Sequence, residues 1–432
     1  MSDHIGRFPY QRVQFKKDGT IHDEEEVSSL LKRIKEEAWD KAVFVAHGWN
    51  NNIEEAERLI TTLFGNADSL LEGRNYGKLN DQKIGVVGIF WPSKKFTPDA
   101  LKPSGEASVD TNPDKPLLVE IENIVEFSAR EDAELLGNRA RELIPTMEDS
   151  EAQQNEFVTI IRKLLNDATE QGELTDDFEI DDEQTGSELL EALSDVELPD
   201  EEEEFVGGAA GLGDFFSGIR KGAARFLNTA TYFTMKKRAG TVGMKGGADL
   251  VRRVHEANPN LSIDVVGHSF GGRLVSAIAK AHADEGLKLI DTVTLLQAAF
   301  SHHGFARNFE NGRDGFFRPV IDQGSVKRRI AVSFSENDKA VGSAYPLASR
   351  IHREDAAGGM AGLGDATDRF GGIGRNGAQK TPEATFDVIL DSAQSYAFKG
   401  SRILNFDGRK HILDHGDVTN EHVANLLLQV IA

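Results

Sequence analysis

The chain has 432 residues, 39% of them hydrophobic, enough for one large core and a smaller module. Its formal net charge of −22 argues against a nucleic-acid partner, because phosphate backbones attract basic faces. Without cysteine there is no thiol nucleophile, thiolate metal site or disulfide, which fits a reducing compartment.

The first residues, Met1-Ser2-Asp3-His4-Ile5-Gly6-Arg7, lack the apolar core of a signal peptide. No run approaches the roughly 20 apolar residues of a membrane span, so a cytoplasmic location is expected. Phe8 to Phe15 alternates like a strand, and Asp18-Gly19 signals a hairpin-type turn. Glu24 to Glu37 reads as a helix with Val27, Leu30, Leu31 and Ile34 on one face. Lys41 to Ala46 has the pattern of a buried strand and runs into His47-Gly48-Trp49-Asn50. A helix over Ile53 to Leu71 and a buried strand over Lys83 to Trp91 follow, the latter leading into Trp91-Pro92-Ser93. Strands alternating with helices predict an α/β fold with a mostly parallel central sheet covered on both faces.

From about Thr97 the rhythm changes. Leu118 to Ile144 and Glu151 to Thr169 read as helices without intervening strands, so 97–235 is expected to be a mainly helical insertion. Between 171 and 204 stand sixteen Asp or Glu and no Lys or Arg, a composition that predicts a solvated, mobile segment. Phe215 to Gly247 is the reverse: it has no acids, but Arg220, Lys221, Arg225, Lys236, Lys237, Arg238 and Lys245 alternate with Phe216, Ile219, Phe226, Leu227, Tyr232 and Phe233. Such a segment suits a lid helix whose cations pair with the acidic block. It also suits peripheral contact with an anionic membrane through 215–238. The octets Gly207–Asp214 and Gly358–Asp365 differ at one position and read as flexible connectors.

Chemistry concentrates in the last third. Leu261 to Val266 reads as a strand, Gly272 to Lys280 as a helix, and Gly267-His268-Ser269-Phe270-Gly271 joins them. A G-x-S-x-G turn between strand and helix is a nucleophile elbow, which sets Ser269 on a tight, strained corner at a helix N-terminus. A serine hydroxyl is a weak nucleophile, so an imidazole must take its proton and a carboxylate must hold that imidazole's tautomer. Asp338 follows the strand-like Arg329 to Phe334, with Glu336 as the competing acid two residues away. His415 sits in a loop after the strand-like pieces Arg402 to Phe406 and Lys410 to Leu413, ahead of a final helix over about Asn420 to Ile431. His411 and His422 fall inside strand and helix patterns and read as structural. The backbone amides of Trp49 and Phe270 are the candidate oxyanion donors. His47, His268, His302 and His303 are the candidate substrate contacts. No metal constellation stands out, and none of this chemistry requires a cofactor.

His47-Gly48-Trp49-Asn50, Trp91-Pro92-Ser93 and the elbow at Ser269 together resemble a bacterial branch of the α/β-hydrolase superfamily. The resemblance covers roughly 8–96 and 236–432, expected as the hydrolase core (1–96 and 236–432) around the 97–235 insertion as lid or cap. It implies a Ser269–His415–Asp338 relay in an esterase- or lipase-like serine hydrolase, with a small-molecule or lipid ester as substrate. Peptidase, amidase or acyltransferase chemistry is possible on the same residues. The rival reading is a non-catalytic scaffold that binds partners through its acidic insertion.

Overall fold

A computed structural model describes residues 3–93, 114–128, 130–165, 185–195, 218–344, 364–398, 400 and 402–432. They fall into two compact units. The first holds the described residues up to Ser93 and all of those from Lys236 on. The second holds the described residues from 114 to Met235.

The first unit is an α/β sandwich. Its strands are β1 (His4–Ile5), β2 (Phe8–Gln14), β3 (Lys41–Ala46), β4 (Ile84–Phe90), β5 (Ser262–His268), β6 (Ile290–Leu296), β7 (Val326–Phe334), β8 (Ala384–Val388) and β9 (Ile403–Asp407). They form one sheet in the order β1-β2-β4-β3-β5-β6-β7-β9-β8, with every neighbouring pair parallel except β1–β2. Every residue of β3 and β4 is buried, as expected for strands covered on both faces.

Helices α1 (Glu24–Glu36) and α2 (Ile53–Gly73) have capped starts. Asp23 accepts the Glu25 amide, and Asn52 and Glu55 form a reciprocal capping box. In the second unit lie α3 (Lys115–Phe127), α4 (Ala133–Leu143), α5 (Glu151–Leu165) and α6 (Gly186–Asp195); α7 (Gly218–Val242) belongs to that unit up to Met235. In the first unit follow α8 (Ala248–Ala257), α9 (Phe270–Asp284), α10 (Arg318–Asp322), α11 (Ile373–Asn376) and α12 (Glu421–Ile431). The apolar stripes of α2 (Ile60, Leu63, Phe64) and α12 (Leu426, Leu427, Val430) pack with Val43, Val45, Val86 and Val266 on one face of the sheet. On the other face α9 lies against β3, β5 and β6, and α8 packs beside both α1 and α9.

The second unit has its own core, in which Leu117, Ile121, Ile124, Phe157, Val158, Ile161, Phe226 and Leu227 are buried together. Several expectations change here. The helix expected over Leu118 to Ile144 is two, α3 and α4, separated by 128–132. Within the expected mobile acidic stretch, 185–195 carries α6, because Leu189, Leu190 and Leu193 give it an apolar stripe that the core buries. The rest of that stretch lies outside the described residues, as do Phe215, Phe216 and almost all of both glycine octets. Of the apolar residues on which the membrane-contact reading rests, Phe226, Leu227, Tyr232 and Phe233 are buried and Ile219 is half-buried. Arg220 finds its countercharge in Asp114 and Glu148 (3.4 and 3.9 Å), both outside the acidic stretch.

In the first unit Lys410 to Leu413 is a turn instead of a strand, so His411 sits in a loop. Among the described residues no helix is long and apolar enough to cross a membrane.

Candidate active site

Ser269 stands between β5 and α9 with φ 55° and ψ −124°. That region is sparsely populated for a residue with a Cβ, and such conformations persist only where the surroundings over-determine them. Here the backbone on both sides is fixed. The Ser269 amide donates to the Leu296 carbonyl (3.1 Å), and the Ser269 carbonyl accepts from Gly272 (2.9 Å) and Ala299 (3.0 Å). Gly271 explains the second glycine of the motif: a Cβ there would lie 2.2 Å from the Ala46 carbonyl oxygen. The elbow therefore presses on the end of β3, and Ser269 is 2% exposed.

The turn that leaves β3 is held against the elbow. A Cβ on Gly48 would come within 2.9 Å of the Ser269 Cβ, so only glycine permits this approach. His47 braces the turn from behind. Its Nδ1 lies 2.9 Å from the Gly48 carbonyl oxygen, and its Nε2 accepts the Trp91 amide at 3.3 Å. These partners assign a neutral ring with the proton on Nδ1. Trp91 stacks on that ring at 5.8 Å and donates its indole N–H to the His47 carbonyl (3.0 Å). The rest of the Trp-Pro-Ser segment ties in next to it. The Asn50 amide donates to the Ser93 carbonyl (2.9 Å), the Ser93 hydroxyl to the Asn51 carbonyl (3.0 Å), and Arg238 to the Pro92 carbonyl (2.9 Å). Trp49 faces Phe270 at 5.9 Å between rings. The amides of Trp49 and Phe270 thus belong to two backbone segments that meet at Ser269, and Phe270 opens α9, where first-turn amides have no acceptor within the helix.

His415 and Asp338 meet as the sequence order requires. His415 Nδ1 lies 2.9 Å from Asp338 Oδ2, although the residues are 77 apart in the chain. Asp338 is fully buried, and its other oxygen accepts the Val341 amide (2.9 Å). Glu336 points elsewhere: it is 56% exposed and pairs with Arg409 at 3.1 Å. His415 is brought to the elbow by its neighbour His268, whose ring lies 4.9 Å from the His415 ring and whose Nε2–H donates to the His415 carbonyl (2.9 Å).

The four histidines expected at the substrate are all buried. Both ring nitrogens of His47 are engaged within the protein, so it shapes the turn. His268 is buried and ties the His415 loop to the elbow. His302 packs against Gly371 and lies 3.2 Å from the Asn376 amide nitrogen. His303 stacks on Phe309 at 4.9 Å. The sequence sets His47, His302 and His303 in loops and turns, where they lie, whereas His268, expected in the elbow turn, ends β5.

A cleft of about 590 Å³ opens at the C-terminal ends of β7, β8 and β9, where Phe334, Glu336, Arg375, Phe386 and Arg409 form part of its wall. Neither Ser269 nor His415 lines it. Asp391, His411 and His422 offer ligand atoms within 4.8 Å of one another. Their donors do not converge as a metal site needs. His422 Nδ1 accepts the Ser392 amide (2.9 Å), which leaves its proton on Nε2, and its ring lies over that of His411 at 3.9 Å. Asp391 is already paired with Lys410 at 2.7 Å.

Burial pushes His47 down to about 4, and burial together with the nearby His415 pushes His268 down to about 3. An unfolded chain binds a proton at each histidine below its ordinary value of about 6.5, while the folded chain does not. Stability is therefore full above about pH 6.5 and falls as pH drops toward 4, each site contributing a slope on the order of 1 kcal/mol per pH unit. Urea unfolding midpoints measured from pH 7 to pH 4 should decline, and a flat profile would contradict the neutral, buried state of both rings.

Gln297 is the site residue that sequence reading misses. It follows β6, and its side-chain amide donates to Asp338 Oδ2 at 3.0 Å. Comparison with known proteins finds no matching family model, no matching curated protein and no matching solved structure.

Proposed function

We propose that this chain is a serine hydrolase of the α/β-hydrolase type that cleaves an acyl bond, with a carboxylic or lipid ester as the preferred substrate. The observation that carries this reading is a strained, buried serine on a strand-to-helix elbow, whose preceding residue His268 bonds the carbonyl of His415, the histidine that meets a buried carboxylate. The parallel strand order around the elbow supports it.

In this mechanism Ser269 Oγ attacks the carbonyl carbon while His415 Nε2 takes the hydroxyl proton. Asp338 holds the Nδ1 proton and stabilises the imidazolium that forms. The amides of Trp49 and Phe270 receive the negative charge of the tetrahedral oxygen, and losing one such donor costs about 3–4 kcal/mol of transition-state stabilisation. Collapse expels the alcohol, which leaves with the proton from His415. Water then attacks the acyl-enzyme with the same histidine as base, releasing the acid and free serine.

The test is a fluorophosphonate probe followed by peptide mass analysis, together with a series of model esters of increasing acyl length. The expected result is one adduct, on the Ser269 peptide, and turnover of at least one ester. A folded protein that takes no label and turns over no ester would overturn the reading in favour of a non-catalytic scaffold.

A further inference from the structure

We infer that Gln297 is a positioning residue of the proton relay, acting on His415 through Asp338; this inference rests on the hydrolase reading above. The Gln297 side chain is completely buried, and every polar atom in it is used. Nε2 donates to Asp338 Oδ2 (3.0 Å) and to the Gly374 carbonyl (2.9 Å), while Oε1 accepts from the Ser333 hydroxyl (2.9 Å). The amide can face only this way, because a flip would set its oxygen against two acceptors. Ser333 Oγ in turn accepts the Gln297 backbone amide (3.1 Å), closing a ring between β7 and the end of β6.

The backbone supports the assignment. Gln297 has φ 45°, in the left-handed region that non-glycine residues seldom occupy. The unusual backbone turns the side chain inward at the end of the strand, where an extended continuation of β6 would alternate it differently.

The functional consequence follows from which oxygen is held. Gln297 Nε2 and His415 Nδ1 bond the same atom, Oδ2, while Val341 bonds Oδ1. Gln297 and Val341 together fix the rotation of the carboxylate, so that Oδ2 faces the imidazole. Gln297 also sets the positive end of a dipole near the place where the imidazolium forms. Removing that dipole leaves more negative charge on Oδ2 and favours the charged ring. Among the described residues, Asp338 and His268 face His415, and burial keeps His268 neutral.

Gln297→Met keeps the volume and removes the donors. The rate of Ser269 phosphonylation by a fluorophosphonate is expected to fall by about tenfold to a hundredfold, because the base is misaligned. The acidic limb of the pH–rate profile should move up by about half a unit to one unit, as should the His415 pKa read by NMR of histidine-labelled protein. Ser333→Ala leaves the Asp338 contact but releases Oε1; it should show the same changes in smaller measure, and it decides the matter if Gln297→Met does not fold. A wild-type rate and unshifted limb in a folded variant would overturn the inference. A wild type that takes no label removes the hydrolase reading, and the NMR titration then judges Gln297 alone: an unchanged His415 pKa overturns its role, a raised one supports it.

Discussion

Replacing Ser269 with glycine is expected to abolish acyl transfer and stabilise the protein. The catalytic loss should be on the order of 10⁴-fold or more, since the attacking oxygen is gone while the oxyanion donors remain. The gain has a separate origin. At φ 55° and ψ −124° the serine backbone is strained, and strain of this kind costs on the order of 1–3 kcal/mol. Glycine relieves it but returns part of the gain, up to about 1 kcal/mol, through greater freedom of the unfolded chain. Ser269→Ala is the control: it loses the same oxygen and keeps the Cβ. Glycine is preferred over alanine at any N-cap, so the strain is read against the wild type: Ser269→Gly should melt about 1–2 °C above it, where an unstrained cap would lose a few tenths of a kcal/mol. Thermal unfolding of the wild type and the two variants side by side checks this. A melting point for Ser269→Gly below that of the wild type would show that the elbow is relaxed.

Asp338→Asn is expected to lower the rate about 10⁴-fold by imposing the wrong imidazole tautomer. Three donors converge on this carboxylate: His415 Nδ1 and Gln297 Nε2 at Oδ2, and the Val341 amide at Oδ1. An asparagine has one acceptor and one NH₂ group to offer. If the NH₂ faces Oδ2's partners, it opposes Gln297 and makes His415 accept at Nδ1, which puts the proton on Nε2 and removes the base. If the NH₂ faces Val341, two donors confront each other in a buried place. Either arrangement leaves a donor unsatisfied, at about 1–3 kcal/mol, so the variant should also be less stable. Glu336→Gln, by contrast, alters an exposed residue paired with Arg409 and should leave the rate within about twofold. Phosphonylation rates and urea midpoints for both variants test the contrast. Equal losses in the two would mean that Asp338 is not the acid of the relay.

The strand-to-helix elbow is legible in the sequence because everything that defines it lies within a few residues of Ser269. The parallel sheet is legible for the same reason: β3 after Lys41 and β4 are continuous apolar runs, and β5 is one broken by Asp264. The choice of acid is not. Glu336 and Asp338 share a loop, and only tertiary packing buries one and exposes the other. Gln297 carries no local signal at all, since a glutamine after a strand is unremarkable until Asp338, 41 residues on, is brought to it. Trp91-Pro92-Ser93 stands out as a motif, but its work is done through His47 and Arg238, far away in the chain. In the acidic stretch, charge count outweighs three leucines on paper; in the folded chain the leucines of α6 prevail because α5 and α7 supply apolar partners.

The place of β3 in the sheet has a consequence for biosynthesis. Its Lys41–Ala46 backbone is hydrogen-bonded to β4 on one side and to β5 on the other, and roughly 170 residues separate β4 from β5. At ribosomal speeds of about 5–20 residues per second, β3 waits about 10–35 s for its second neighbour. During that interval the nascent chain presents an apolar strand with an open edge, the kind of surface that recruits other chains into aggregates. A chaperone that shields the first ninety residues over that interval should therefore raise the yield of this protein.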